Sequence, residues 1–127
     1  VYVSNGSGSG SWIFPSQALT LDIISLDAVT DYFLVFPYAA TITRLFSVVD
    51  GAILTVDKTL TMSIGGVAVT GGALVIPIAG SAAGVVSSVI PSAANAIAAG
   101  AALRIAATGA TTGAIRGHLT IQYQRTT

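Results

Sequence analysis

Few residues in this sequence can move a proton. Its carboxylates are Asp22, Asp27, Asp31, Asp50 and Asp57, glutamate and cysteine are absent, and His118 is the single histidine. General acid–base work needs two groups whose environments set their pKa values apart, usually drawn from Glu, Asp and His. Asp27 and Asp31, four residues apart, form the closest carboxylate pair. They fall in a loop ahead of an aromatic run, where aspartates hydrogen-bond backbone groups in Asx turns, so they read as turn caps. His118 has the chemistry of a base or a metal ligand. Its sequence neighbours Arg116, Thr120 and Gln122 complete neither a nucleophile relay nor a ligand set, and it reads as a surface or interface residue.

Other motifs add no catalytic set. Without cysteine there is no thiolate for a disulfide, a metal site or a nucleophile. The run Gly6-Ser7-Gly8-Ser9-Gly10 lacks the frame of a nucleophile elbow and the lysine of a phosphate loop, so it reads as linker. Asn5-Gly6-Ser7 matches a glycosylation acceptor, a pattern that carries weight only in a secretory context. The sequence therefore reads as non-enzymatic, with no metal and no cofactor.

The elements that must position these residues belong to a chain unusually poor in charge. Of its 127 residues 53% are hydrophobic and 8% charged, against roughly 25% charged in ordinary soluble domains. Five basic and five acidic residues cancel to a net charge of 0, leaving no long-range field to draw in nucleic acid or anionic lipid. Near-zero charge with high apolar content promotes association, which suits an obligate oligomer whose apolar surface is covered by neighbours. No charged residue lies between Lys58 and Arg104, yet Pro77, Pro91 and the glycine pairs interrupt every window of about 20 residues that a spanning helix needs. Neither a membrane span nor an export signal is expected.

Residues 1–15 read as a flexible N-terminal arm and residues 16–127 as one domain. Trp12, Ile13, Phe14 and Pro15 close the arm with an apolar knot, placed either to dock on a partner or to plug the base of the domain's own core. From Leu19 to Ile23 apolar and polar residues alternate, the mark of a half-buried strand. Tyr32-Phe33-Leu34-Val35-Phe36 is a continuous run ended by Pro37, as for a strand buried on both faces or one leading into an edge. Residues 40–48 are β-prone, with Asp50-Gly51 as a turn signal behind them. Leu60 to Ile64 and Val67 to Val69 read as strands joined by a tight Gly65-Gly66 turn, with Thr70-Gly71-Gly72 as the next loop. Leu74 to Ile78 carries Pro77, arguing for an edge strand or a bulge. Residues 85–90 are a further strand candidate. Residues 92–99 have the alanine content of a short helix, with Ser92 as N-cap and Gly100 as stop. Leu103 to Ala106 and His118 to Arg125 read as strands, the second placing His118, Thr120, Gln122 and Gln124 on one polar face. The expected fold is all-β, an antiparallel β-sandwich or jelly roll with at most one short helix.

The stretches Pro37 to Leu45, Val49-Asp50-Gly51-Ala52-Ile53, Asp57 to Gly72, Gly80-Ser81-Ala82-Ala83-Gly84 and Pro91 to Gly100 resemble small decoration (cement) proteins of tailed-bacteriophage heads. The resemblance covers roughly residues 35 to 125. It departs from that pattern at Gly100-Ala101-Ala102, where an acidic residue is expected. It implies a β-sandwich on the outer surface of a capsid in the virion, oligomeric, a trimer ahead of a dimer, with the major capsid protein as partner. The competing reading is a receptor- or carbohydrate-binding module of a tail fibre or adhesin, for which Asp31-Tyr32 and the nearby aromatics are the candidates.

Overall fold

Period-two patterning from Ser16 onward builds two facing antiparallel sheets in the computed structural model of the chain. Backbone is described for residues 2–4, 10–12, 15–112 and 115–126, and side chains from Pro15 onward over the same ranges. The strands are β1 (Tyr2–Ser4), β2 (Gly10–Trp12), β3 (Ser16–Ile23), β4 (Asp31–Val35), β5 (Ala40–Val49), β6 (Lys58–Ile64), β7 (Val67–Ile76), β8 (Val86–Val89), β9 (Ala96–Ile97), β10 (Ala102–Thr108) and β11 (Gly117–Arg125). One sheet runs β4-β10-β6-β7 and the other β3-β11-β5-β8, with β9 also paired to β5.

The pairing is nested. Leaving out the short β9, the first long strand of the domain pairs with the last (β3 with β11), the second with the next to last (β4 with β10), then β5 with β8 and β6 with β7. A single antiparallel ribbon folded over in this way, its strands alternating between two sheets, is a jelly roll. Residues 24–30, 50–57, 77–85, 109–112 and 115–116 therefore lie between strands of the two sheets at one end, the loop end. Residues 36–39, the 65–66 turn and residues 90–101 cluster at the opposite end, where the chain also enters β3.

Between the sheets lies a continuous core that includes Ile42, Leu45, Leu60, Met62, Leu74, Leu103, Ile105, Leu119 and Ile121, each at most 1% exposed. Phe36 meets Tyr123 edge-on, with ring centroids 5.0 Å apart, the arrangement that ring quadrupoles favour. Ser47 on β5 points into this core, and its hydroxyl has no hydrogen-bond partner among the described residues.

Several local expectations need correction. Of the two alternatives for residues 32–36 the edge holds: β4 lies at the edge of its sheet, and Phe33 and Val35 are each 63% exposed. Gly65-Gly66 does form the tight turn, with φ of 59° and 81°, the twist that a two-residue hairpin demands. Thr70-Gly71-Gly72, by contrast, is no loop. It is a bulge within the continuous edge strand β7, where pairing with β6 jumps from Thr61↔Ala73 to Ser63↔Ala68. Pro77 lies just past that strand's end. The expected helix at residues 92–99 does not form, and no helix occurs among the described residues. Two tertiary ties and one non-helical backbone conformation override its alanine propensity. Thr70 bridges Ala93, Ala94 takes a left-handed φ of 52°, and Asn95 donates its side-chain amide to the Ile42 carbonyl at 2.7 Å.

Candidate functional site

The first and last long strands being neighbours brings together groups far apart in sequence. His118 on β11 lies directly opposite Asp22 on β3 and Val48 on β5. Asp50 follows the end of β5 and is held beside β11 by its N–H donating to the Arg116 carbonyl at 3.0 Å. The imidazole is consequently bracketed, Nδ1 at 2.8 Å from Asp22 Oδ1 and Nε2 at 3.2 Å from Asp50 Oδ1. The hydrogen bond to Asp22, then that to Asp50, raises the pKa of His118 above its ordinary value against a smaller opposing desolvation. The reading of His118 as lacking any completing group is thereby corrected. Both ring nitrogens are turned to carboxylates, so the arrangement favours an imidazolium linking three strands rather than a base free to take a proton from substrate. Among the described residues, no group of three or more His, Cys, Asp or Glu side chains is placed to hold a metal ion.

The closely spaced carboxylates do not act as a pair. Asp27 accepts a hydrogen bond from the Ser25 hydroxyl within its own loop, in keeping with a turn role. Asp31 instead reaches across to β10 and binds Arg104 Nη2 at 2.8 Å and Nε at 2.9 Å. Asp57 accepts the Ile78 N–H at 2.8 Å and ties two crossings of the loop end. Lys58 is completely buried and donates to the Ala28 and Gly109 carbonyls at 2.5 and 3.0 Å. Burial lowers its pKa, with Asp27 pulling the other way. These contacts make Lys58 a pin that joins residues 24–30 and 109–112 to the start of β6.

The surfaces of the two sheets differ. The outer face of β3-β11-β5 carries Thr20, Asp22, His118, Thr120, Gln122 and Arg44 on its polar positions, with Arg44 lying 5.3 Å from the centre of the Phe46 ring. The outer face of β4-β10-β6-β7 presents Phe33, Val35, Ala102, Ala68 and Val75, and carries the Arg104–Asp31 ion pair. At the end away from the crossing loops this face hollows into an open groove of about 550 Å³ lined by Phe33, Gly65, Gly66, Ala96, Ala98 and Ala102. Alanine and glycine leave the hollow because they lack side-chain volume there. More apolar side chains stand out from the crossing loops: Ile24 is 74% exposed, Val29 59% and Leu54 57%.

Of the four residues singled out as partner-binding, Trp12 has its backbone paired with Tyr2 in the β1–β2 ladder. Pro15 is exposed just before β3. Ile13, Phe14 and the side chain of Trp12 lie outside the described residues, as does most of the arm that sequence reasoning read as flexible. Among the described residues no helix is long and apolar enough to cross a membrane. No known family model matches the chain, and no curated protein matches it.

Proposed function

We propose that this chain is a non-enzymatic structural protein that coats the outer surface of a virus capsid as an oligomer, as the decoration proteins of tailed-phage heads do. The observation that supports this reading best is the outer face of the four-stranded sheet. A face so poor in charge, with Phe33 and Val35 each 63% exposed, suits surface that is covered in the working assembly. The partners are then other copies of the chain and the major capsid protein, and the work is mechanical, since contacts made across subunit boundaries raise the free energy needed to separate them. Jelly rolls recur in viral capsid proteins, a fold-level association that is compatible with this reading without carrying it.

Two measurements test it. Light scattering on the purified chain at micromolar concentration should give the mass of an oligomer, and a stable monomer rejects self-assembly. Electron microscopy of virus particles that contain the chain should show it on the outer shell, whereas density confined to the tail rejects a decorating role. A tail location would favour the second reading, a glycan-binding module. Phe33 supports that reading, because it is an exposed ring on a groove beside the Asp31–Arg104 pair, and specific signal on a glycan array would promote it.

A further inference from the structure

We infer that Asp50 is a proton-driven switch with two seats: it sits on His118 while both imidazole nitrogens carry a proton, and crosses to Arg116 when one proton leaves. Nothing in this switch depends on the proposed role at a capsid. The strand register places the groups. β11 sets His118 opposite Asp22 of β3 and Gly117 opposite Val49 of β5. The Asp50 N–H donates to the Arg116 carbonyl at 3.0 Å, which extends the β5–β11 pairing and puts Asp50 directly across from Arg116. Residues two apart on a strand share a face, so Arg116 stands beside His118 on the outer face. Each carboxylate therefore has one partner straight across and one on the diagonal. Asp22 faces His118 with Arg116 diagonal, and Asp50 faces Arg116 with His118 diagonal. Pairs straight across start about 4.5–5.5 Å apart and diagonal pairs about 7–8 Å. Asp50 nonetheless takes the diagonal seat, its two oxygens 3.2 and 3.3 Å from Nε2. Arg116 is exposed and forms no ion pair among the described residues.

An imidazolium donates from both nitrogens, a neutral imidazole from one. Once a proton is lost, one carboxylate faces a bare lone pair and is repelled. Asp22 keeps its bond, because Nδ1 lies 2.8 Å from its Oδ1 against 3.2 Å from Nε2 to Asp50, and His118 is the side chain straight across from it. Asp50 loses its seat, and the guanidinium across from it, charged at every pH of interest, supplies another. No other ionisable group on the neighbouring elements is placed to intervene. Arg44 of β5 stands opposite Gln122, farther along the sheet, against the Phe46 ring. Val48 of β5 and Val86 of β8 complete the row of His118. Asp27 accepts the Ser25 hydroxyl, and Lys58 is bound to the Ala28 and Gly109 carbonyls. Since Asp22 and Asp50 raise the pKa of His118, the exchange is centred above the pH at which an unperturbed histidine titrates. Below that pH the chain displays an unpaired guanidinium at the loop end, and above it Asp50 covers the charge.

A pH titration of the full chain by nuclear magnetic resonance tests both seats. His118 is the single histidine, so its ring nitrogen signals need no assignment, and the Arg116 Nε–H is identified by its absence in Arg116→Gln. The neutral ring should be the Nδ1–H tautomer, and the Arg116 Nε–H signal should shift with the same midpoint as the ring. Asp50→Asn should abolish that Arg116 shift while the neutral ring stays Nδ1–H. Arg116→Gln, which removes the second seat, should raise the His118 midpoint by a few tenths of a pH unit, the scale of an exposed ion pair. That rise should vanish when Asp50→Asn is already present, whereas the mere loss of a nearby positive charge acts with or without Asp50. Both altered positions are exposed, and far-ultraviolet circular dichroism checks that each variant folds. The tautomer is read on the unaltered chain and needs no variant. A neutral Nε2–H ring, which would hold Asp50 and let Asp22 go, overturns the switch. So does an Arg116 signal indifferent to the His118 titration, or a midpoint rise that persists without the Asp50 carboxylate.

Discussion

Replacing Gly109 with alanine probes the junction that holds the loop end together. Gly109 has a φ of 90°, and an added Cβ would sit 2.2 Å from the Asp57 carbonyl oxygen, a backbone atom that cannot swing away. The left-handed conformation costs an alanine about 1–2 kcal/mol. Forcing the backbone of Asp57 aside adds roughly 1–3 kcal/mol by the usual penalty for overpacking. Any retreat of the Gly109 carbonyl also lengthens its 3.0 Å bond from Lys58, so the total should lie toward the upper part of about 2–5 kcal/mol. Gly84 supplies the internal control, for its φ is 83° and nothing lies within 4 Å of its added Cβ. Gly84→Ala should therefore cost the conformational part alone, about 1–2 kcal/mol. Urea unfolding of both variants at one protein concentration measures the difference, which should exceed about 1 kcal/mol. Equal destabilisation within about 0.5 kcal/mol would refute the claim that the Gly109–Asp57 approach is what demands glycine.

Three more outcomes follow from single features. Ser47→Ala removes a core hydroxyl without a partner, so the unfolding free energy should stay level or rise by about 1 kcal/mol, and a loss of more than that means the hydroxyl has a partner in solution. Because His118 has its folded pKa raised by Asp22 and Asp50, its stabilisation is full below its unfolded pKa of about 6.5 and is lost as pH rises through the higher folded value. The melting temperature of the unaltered chain minus that of His118→Gln should thus shrink from pH 5 to pH 9, and a difference that stays constant rejects the bracketed imidazolium. Lys58, its pKa lowered by burial, gives a slope of the opposite sign at alkaline pH, which the subtraction removes. Deleting residues 1–11 should leave the melting temperature unchanged, since β3 begins at Ser16, while weakening attachment to particles. Full attachment without those residues would deny the arm an anchoring role.

The alternation of residues 19–23 and 118–125 made β3 and β11 legible, because one face of each is buried and the period of two survives. The same rows hold Asp22 and His118 on matching polar faces, so the pair was implicit once the first and last strands were known to be neighbours. Local pattern does not carry that knowledge. It comes from the ribbon folding over itself, and Asp50 joins only because β5 flanks β11 on the other side. The failures at Gly71-Gly72 and at residues 92–99 share one cause. Both segments are held by pairing across long sequence distances, Thr70 with Ala93 and Asn95 with Ile42, and that pairing outweighs turn and helix propensities worth less than about 1 kcal/mol per residue. The run around Phe33 and Val35 left burial on both faces and an edge as alternatives, because an apolar run signals burial whether by the chain's own core or by something outside it.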